Sequence, residues 1–119
     1  MSLTVGTEQH GDIVVVSVGG ELDMATAPQL QDQITDLLDR GLPRLVFDLT
    51  DLSFCDSTGL SVFVRAKNST DEAGGLVRLA APQRGVRRIL EVSGLVEVLH
   101  TYPTVDEAVT ADASEPAAG

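Results

Sequence analysis

The sequence predicts an α/β sandwich, with a mixed central sheet of about four or five strands and about four helices. Three observations predict it. The stretch from Leu3 to Val18 reads as two strands joined by a turn. Beyond it, short apolar runs alternate with apolar stripes at helical spacing. Cap and turn residues stand between these segments. Strands that alternate with helices after a hairpin make the later strands parallel and leave the first one or two antiparallel or mixed.

The elements follow in order. Ile13 to Val16 is a β-branched run, and His10-Gly11-Asp12 before it supplies the turn of the hairpin. Gly19 and Gly20 are expected to end the second strand or begin a loop. Thr26-Ala27-Pro28-Gln29 has the form of a capping box, with Thr26 as cap and Gln29 reaching back. Pro28 is tolerated in a first helical turn, where the N–H it lacks would be unpaired anyway. Leu30, Ile34, Leu37 and Leu38 make one apolar stripe, and Gly41 is a terminator. Leu45 to Leu49 suits a central parallel strand. Thr50 to Asp56 then leads to a second helix from about Ser57 to Glu72. In that helix Leu60, Phe63 and Val64 are expected to face the sheet, with Ala66 allowing close packing. Gly74 and Gly75 break the chain before a strand from Leu76 to Ala80, which Arg78 interrupts. A third helix is expected from about Pro82 to Val92, buried through Val86, Ile89 and Leu90, and a last short strand from Leu95 to Leu99. Thr104-Val105-Asp106-Glu107 is a second capping-box pattern that opens a short C-terminal helix.

At 119 residues the chain is read as one domain, spanning 1–111. The small, acidic tail at 112–119 is expected to be disordered. A domain of this size buries roughly two-thirds of its unfolded surface, so it needs no metal or disulfide to fold. The single cysteine, Cys55, leaves no internal disulfide framework and fits a reducing cytoplasm. No signal sequence and no apolar stretch long enough to insert in a membrane is visible. The formal net charge is −10, from 8 basic and 18 acidic residues. That argues against nucleic-acid binding, which requires clustered cations, and favours a protein partner with a basic surface. Trp is absent and Phe and Tyr are few, so the core is aliphatic and stacking on bases has little support.

Asp56-Ser57-Thr58-Gly59-Leu60 stands where a strand gives way to a helix. Asp56 or Ser57 can cap that helix by accepting from backbone N–H groups. Gly59 in the first turn leaves the backbone open to a close approach. The helix N-terminus favours an anion, so a phosphate on Ser57 is tolerated locally while adding about −1.5 to −2 charge. Asp48, Asp51 and Asp56, with Glu21 and Asp23 on another loop, supply charges that a phosphate would repel. The bland reading is a helix cap and nothing more.

The wider segment from Val46 to Leu60, VFDLTDLSFCDSTGL, resembles the signature of bacterial anti-sigma-factor antagonists, which are built on the STAS domain. Gly20-Glu21-Leu22-Asp23, followed by Thr26-Ala27, is similar to that family's second conserved region. The resemblance runs from about Leu3 to Val109. It implies a STAS-like sandwich and a partner switch. The unphosphorylated antagonist binds an anti-sigma factor that is also a serine kinase, which frees the sigma factor. Phosphorylation turns the antagonist off, and a metal-dependent serine phosphatase restores it. Carried over by motif position, Ser57 is the phosphoacceptor, Asp56 is its acidic neighbour, Asp23 lies in the loop beside the site, and Thr58 is the weaker acceptor. Asp23, Asp56, Thr58 and Gly59 are then the residues near the phosphosite or in contact with the partner. The resemblance implies no catalytic residue, no cofactor and no metal in the antagonist, since ATP and Mg²⁺ belong to the kinase. No phosphate loop of the G-x-x-x-x-G-K-[ST] type is present. Cys55 stands where the family usually has an apolar residue, and a buried thiol behaves as one. The same domain in another role, as an accessory module of a transport or lipid-trafficking complex, is the alternative.

The enzymatic competitors are weaker. Ser57 sits at a strand-to-helix turn, as a nucleophile elbow does, but Cys55 stands where the elbow needs Gly. His10 and His100 are the only histidines; His100 follows Ser57 in the order a hydrolase would use, with Asp71 as a conceivable third member of a triad. Cys55 has no neighbouring base or cation to activate it. No ligand spacing suggests zinc or calcium. Arg84, Arg87 and Arg88 fall on one side of the third helix and read as a solvated face or a contact for an acidic partner.

Overall fold

The computed structural model describes residues 2–111. The tail at 112–119 lies outside the described residues. Strand β1 (Leu3–His10) pairs antiparallel with β2 (Ile13–Leu22), from Leu3 opposite Gly20 to His10 opposite Ile13. Then follow α1 (Ala27–Asp39), β3 (Arg44–Asp48), β4 (Leu52–Cys55), α2 (Ser57–Glu72), β5 (Leu76–Ala80), α3 (Arg84–Val92), α4 (Leu95–Val98), β6 (Thr101–Tyr102) and α5 (Val105–Thr110). All pairings after the hairpin are parallel, in the order β1-β2-β3-β5-β6. The C-terminal half of β2 runs past β3 and pairs with β4 instead.

Strand alternation divides the core between two faces. Val14, Val16 and Val18 of β2, Leu45 and Phe47 of β3, and Val77 and Leu79 of β5 point to one side. There they meet Leu30, Ile34 and Leu37 of α1, Leu60, Phe63 and Ala66 of α2, and Val86 and Leu90 of α3. Phe47 and Phe63 meet edge to face, with centroids 5.1 Å apart. Ile13, Val15, Val46 and Ala80 point the other way, where Tyr102 and Ala108 cover them. Both faces are covered, so β2 and β3 read as continuous apolar runs. Each fully buried aliphatic or phenyl side chain contributes about 1.5 to 3 kcal/mol.

The residue that interrupts β5 belongs to this second layer. Arg78 is buried and donates from Nη1 to the Ala108 carbonyl at 2.8 Å. Its guanidinium also lies 5.8 Å from the centre of the Tyr102 ring. One cation thus ties β5 to both β6 and α5.

Several expectations are corrected. The expected mixed α/β sandwich is present, with six strands and five helices among the described residues: β4 and β6 are short strands that the sequence did not announce, and α4 stands where a strand was expected. Gly19 and Gly20 do not end β2. The strand continues to Leu22, with Gly20 at φ 92° where the pairing with β4 shifts register. A Cβ at Gly20 would clash with the Ser2 carbonyl oxygen. Leu95 to Leu99 is a helical turn rather than a strand. A strand would put Glu97 on the same side as Leu95 and Leu99, whereas the helix leaves Glu97 exposed and buries Leu99. Helix α2 begins and ends where expected, but Val62 is the buried valine and Val64 is only half-buried.

Candidate functional site

The C-terminal ends of β2 and β4 lie side by side, with Leu22 opposite Cys55. The Asp56 amide donates to the Leu22 carbonyl at 3.2 Å, which extends that pairing by one residue. Asp56 then turns the chain into α2. Its backbone is extended, and its Oδ1 accepts from the Gly59 amide at 3.0 Å. Asp56 is therefore the cap, which the sequence left open between Asp56 and Ser57. Ser57 follows as the first helical residue, with an exposed side chain. Among the described residues its hydroxyl takes part in no hydrogen bond, while its carbonyl accepts from Ser61 Oγ at 2.9 Å. Thr58 is half-buried.

Gly59 is buried against the protein's own core. A Cβ there would come within 2.8 Å of both Cys55 Sγ and Leu22 Cγ. The close approach that the glycine permits is that of β2 and β4 to the first turn of α2. Cys55 itself is fully buried, and its thiol is pushed up to about 12 by that burial and then by the Asp56 charge. It is a neutral core side chain at ordinary pH.

Asp23 heads the turn between β2 and α1. Its Oδ1 accepts from the amides of Ala25 and Thr26 at 2.9 and 3.0 Å. The Thr26 hydroxyl donates to the Glu21 carbonyl at 2.8 Å and accepts from the Asp23 amide at 3.0 Å. The expected capping box is thus absent. Thr26 occupies the cap position, but its hydroxyl is committed to the preceding turn, and the Gln29 side chain donates to the Leu3 carbonyl at 3.1 Å. At Thr104 the pattern holds in its first half, with its hydroxyl accepting from the Glu107 amide at 3.1 Å.

The Asp23 turn and the start of α2 bound a groove of about 470 Å³ between α1 and α2. Ser57, Thr58 and Ser61 line one side of it, and Met24, Pro28 and Val62 supply apolar surface. Sequence reasoning missed this groove. Met24, exposed at the tip of the turn, was the only signal for it, and a single exposed methionine is unremarkable in a sequence.

Of the acidic residues expected near Ser57, Asp48 and Asp51 lie elsewhere. Asp48 and Asp51 line a separate hollow with Thr4, Gly6 and Ser17. By alternation along β3, Asp48 points to the face opposite Phe47 and hence away from α2. Its Oδ1 is held by the amide and hydroxyl of Thr50 at 3.0 and 2.6 Å.

A hydrolytic triad does not assemble. Asp71 lies about four turns, or about 21 Å, along α2 from Ser57 and is paired with Lys67 at 2.7 Å. His10 lies at the end of β1, 3.6 Å from Glu8. Among the described residues, no group of three metal-ligating side chains occurs, and no helix is long and apolar enough to cross a membrane. Arg84, Arg87 and Arg88 are exposed on α3, with Arg87 3.7 Å from Glu91.

Comparison with known proteins bears on this arrangement. A family model described as the STAS domain matches residues 4–108. An anti-sigma-B factor antagonist of Staphylococcus epidermidis is 34% identical over 103 residues, covering 84% of this chain and 93% of that protein. The crystal structure of an anti-sigma factor antagonist from Mycobacterium paratuberculosis superimposes with a TM-score of 0.84 at 35% identity, over 92% of each chain. Unphosphorylated SpoIIAA gives 0.78 at 24% identity, over 89% of this chain and 93% of that one. Phosphorylated Bacillus SpoIIAA gives 0.71 at 24% identity, over 89% and 96%. At that identity the likeness is one of fold alone.

Proposed function

The chain belongs to the STAS domain family, and we propose that within it the protein is an anti-sigma-factor antagonist switched by phosphorylation of Ser57. The observation that carries this reading is the state of Ser57. It sits on the first turn of α2 with an exposed hydroxyl, because Asp56 has taken over the capping. A kinase can reach such a hydroxyl, and the helix does not depend on it.

On this reading the domain spans residues 1–111 and is no enzyme. Its unphosphorylated form binds an anti-sigma factor with serine kinase activity and so releases a sigma factor. The kinase brings ATP and its metal, transfers the γ-phosphoryl to Ser57 Oγ, and takes away the hydroxyl proton and ADP. A serine phosphatase restores the free hydroxyl. Asp56, Thr58 and the Asp23 turn form the surroundings that the partner reads. Gly59 contributes indirectly, by letting α2 sit close enough to β4 to present Ser57. The switch operates in the cytoplasm, where sigma factors meet polymerase, and involves no nucleic acid and no membrane insertion.

A STAS accessory module of a transport or lipid-trafficking complex would share the fold. The exposed, uncommitted serine in the Asp-Ser-Thr-Gly turn favours the switch. Affinity for an anti-sigma-factor kinase tests the proposal. Ser57→Ala keeps the wild-type affinity and Ser57→Asp loses it. Equal affinity for wild type and Ser57→Asp counts against a charge-driven switch at this position.

A further inference from the structure

The groove beside Ser57 has a character that the antagonist reading does not require, although the following inference rests on that reading. Met24 is 77% exposed on a turn fixed by Asp23 and Thr26, and it overhangs an apolar trough formed with Pro28 and Val62. The charged side chains of the groove are Asp32 and Arg65, which balance each other. The chain as a whole carries −10, so this is a locally neutral patch on an acidic surface. Gln31 also lines it.

We infer that this groove seats an aliphatic side chain of the anti-sigma-factor partner under Met24, and that a phosphate on Ser57 ends binding because it would be desolvated against that side chain. The free protein accommodates the phosphate. Ser57 stands at a helix N-terminus, Arg65 shares its groove, and Asp48 and Asp51 line a different hollow. Repulsion from Asp48 and Asp51 therefore does not drive the switch. A cationic occupant would be held more tightly after phosphorylation, the reverse of switching off. An acidic occupant would approach a chain that already carries a net charge of −10. A neutral aliphatic residue suits the apolar trough of Met24, Pro28 and Val62. Against it, a group of about −1.5 to −2 charge would lose its water without gaining a partner.

Calorimetric titration of the full chain with an anti-sigma-factor kinase tests this at two salt concentrations. Met24→Ala is expected to weaken binding about tenfold or more, with thermal unfolding unchanged, and Met24→Leu to restore most of the affinity. The loss caused by Ser57→Asp is expected to differ by less than about threefold between about 50 and about 500 mM salt, because desolvation is not screened. Wild-type affinity in Met24→Ala overturns the groove assignment and leaves the antagonist reading standing. A Ser57→Asp loss that shrinks about tenfold or more at high salt overturns the desolvation mechanism in favour of charge repulsion. Failure of the unmodified wild type to bind any anti-sigma-factor kinase overturns the antagonist reading, and this inference with it.

Discussion

The Asp56 carboxylate accepts the amide of Gly59 at 3.0 Å and spans the turn in which Ser57 lies. The residue before the serine thereby does the work of holding the helix end, and the serine hydroxyl is left free. Structure and switching are divided between neighbouring residues, so that one can be modified without unfolding the other.

That division has a measurable consequence. Asp56→Ala removes the cap and is expected to cost about 1 kcal/mol of stability, whereas Ser57→Ala stays within about 0.5 kcal/mol of wild type. Urea unfolding of the two variants checks this. Equal losses would show that Ser57 shares the capping.

Two glycines on helices are expected to respond in opposite directions to the same substitution. Gly59→Ala forces a Cβ to within 2.8 Å of Cys55 and Leu22, an overpacking worth about 1 to 3 kcal/mol that outweighs the gain in helix propensity. On α3, a Cβ at Gly85 meets nothing within 4 Å, so Gly85→Ala is expected to stabilise by about 0.5 to 1 kcal/mol. Thermal unfolding of both variants reads the contrast.

Cys55 makes stability fall in alkali. Its thiol is pushed from 9.0 to about 12 in the folded protein. Below pH 9 both states keep the proton. Between 9 and about 12 the unfolded chain loses it and the folded chain does not, so unfolding gains free energy as pH rises. The urea midpoint of wild type is expected to decline more steeply across this interval than that of Cys55→Ala. Parallel declines would mean that the thiol ionises alike in both states.

Arg78 is expected to hold the C-terminal helix in place. Arg78→Met keeps the apolar stem but leaves the Ala108 carbonyl without the donor that now lies at 2.8 Å. The expected loss is about 2 kcal/mol, with faster hydrogen exchange concentrated in α5. Exchange that rises evenly across the sheet would assign Arg78 to the core at large.

Much of this organisation is legible in the sequence where its cause is local. Helix α2 could be bounded at Ser57 and Glu72 because a capping residue precedes it and glycines follow it. Strand β4 was hidden because Ser53 and Phe54 face outward and its partner, the end of β2, lies some thirty residues earlier. The turn at Leu95 to Leu99 was read as a strand because a short apolar run carries no decisive period. At the site, the Asp-Ser-Thr-Gly turn announced itself. The groove did not, since Pro28 on α1 and Val62 on α2 meet only when the sheet brings their helices together.

The most direct test of the central claim is the intact mass of the chain after incubation with an anti-sigma-factor kinase that binds it and ATP, with Ser57→Ala alongside. The account predicts a gain of one phosphate in wild type and none in Ser57→Ala. A phosphate that persists in Ser57→Ala, or no gain in wild type, would contradict it.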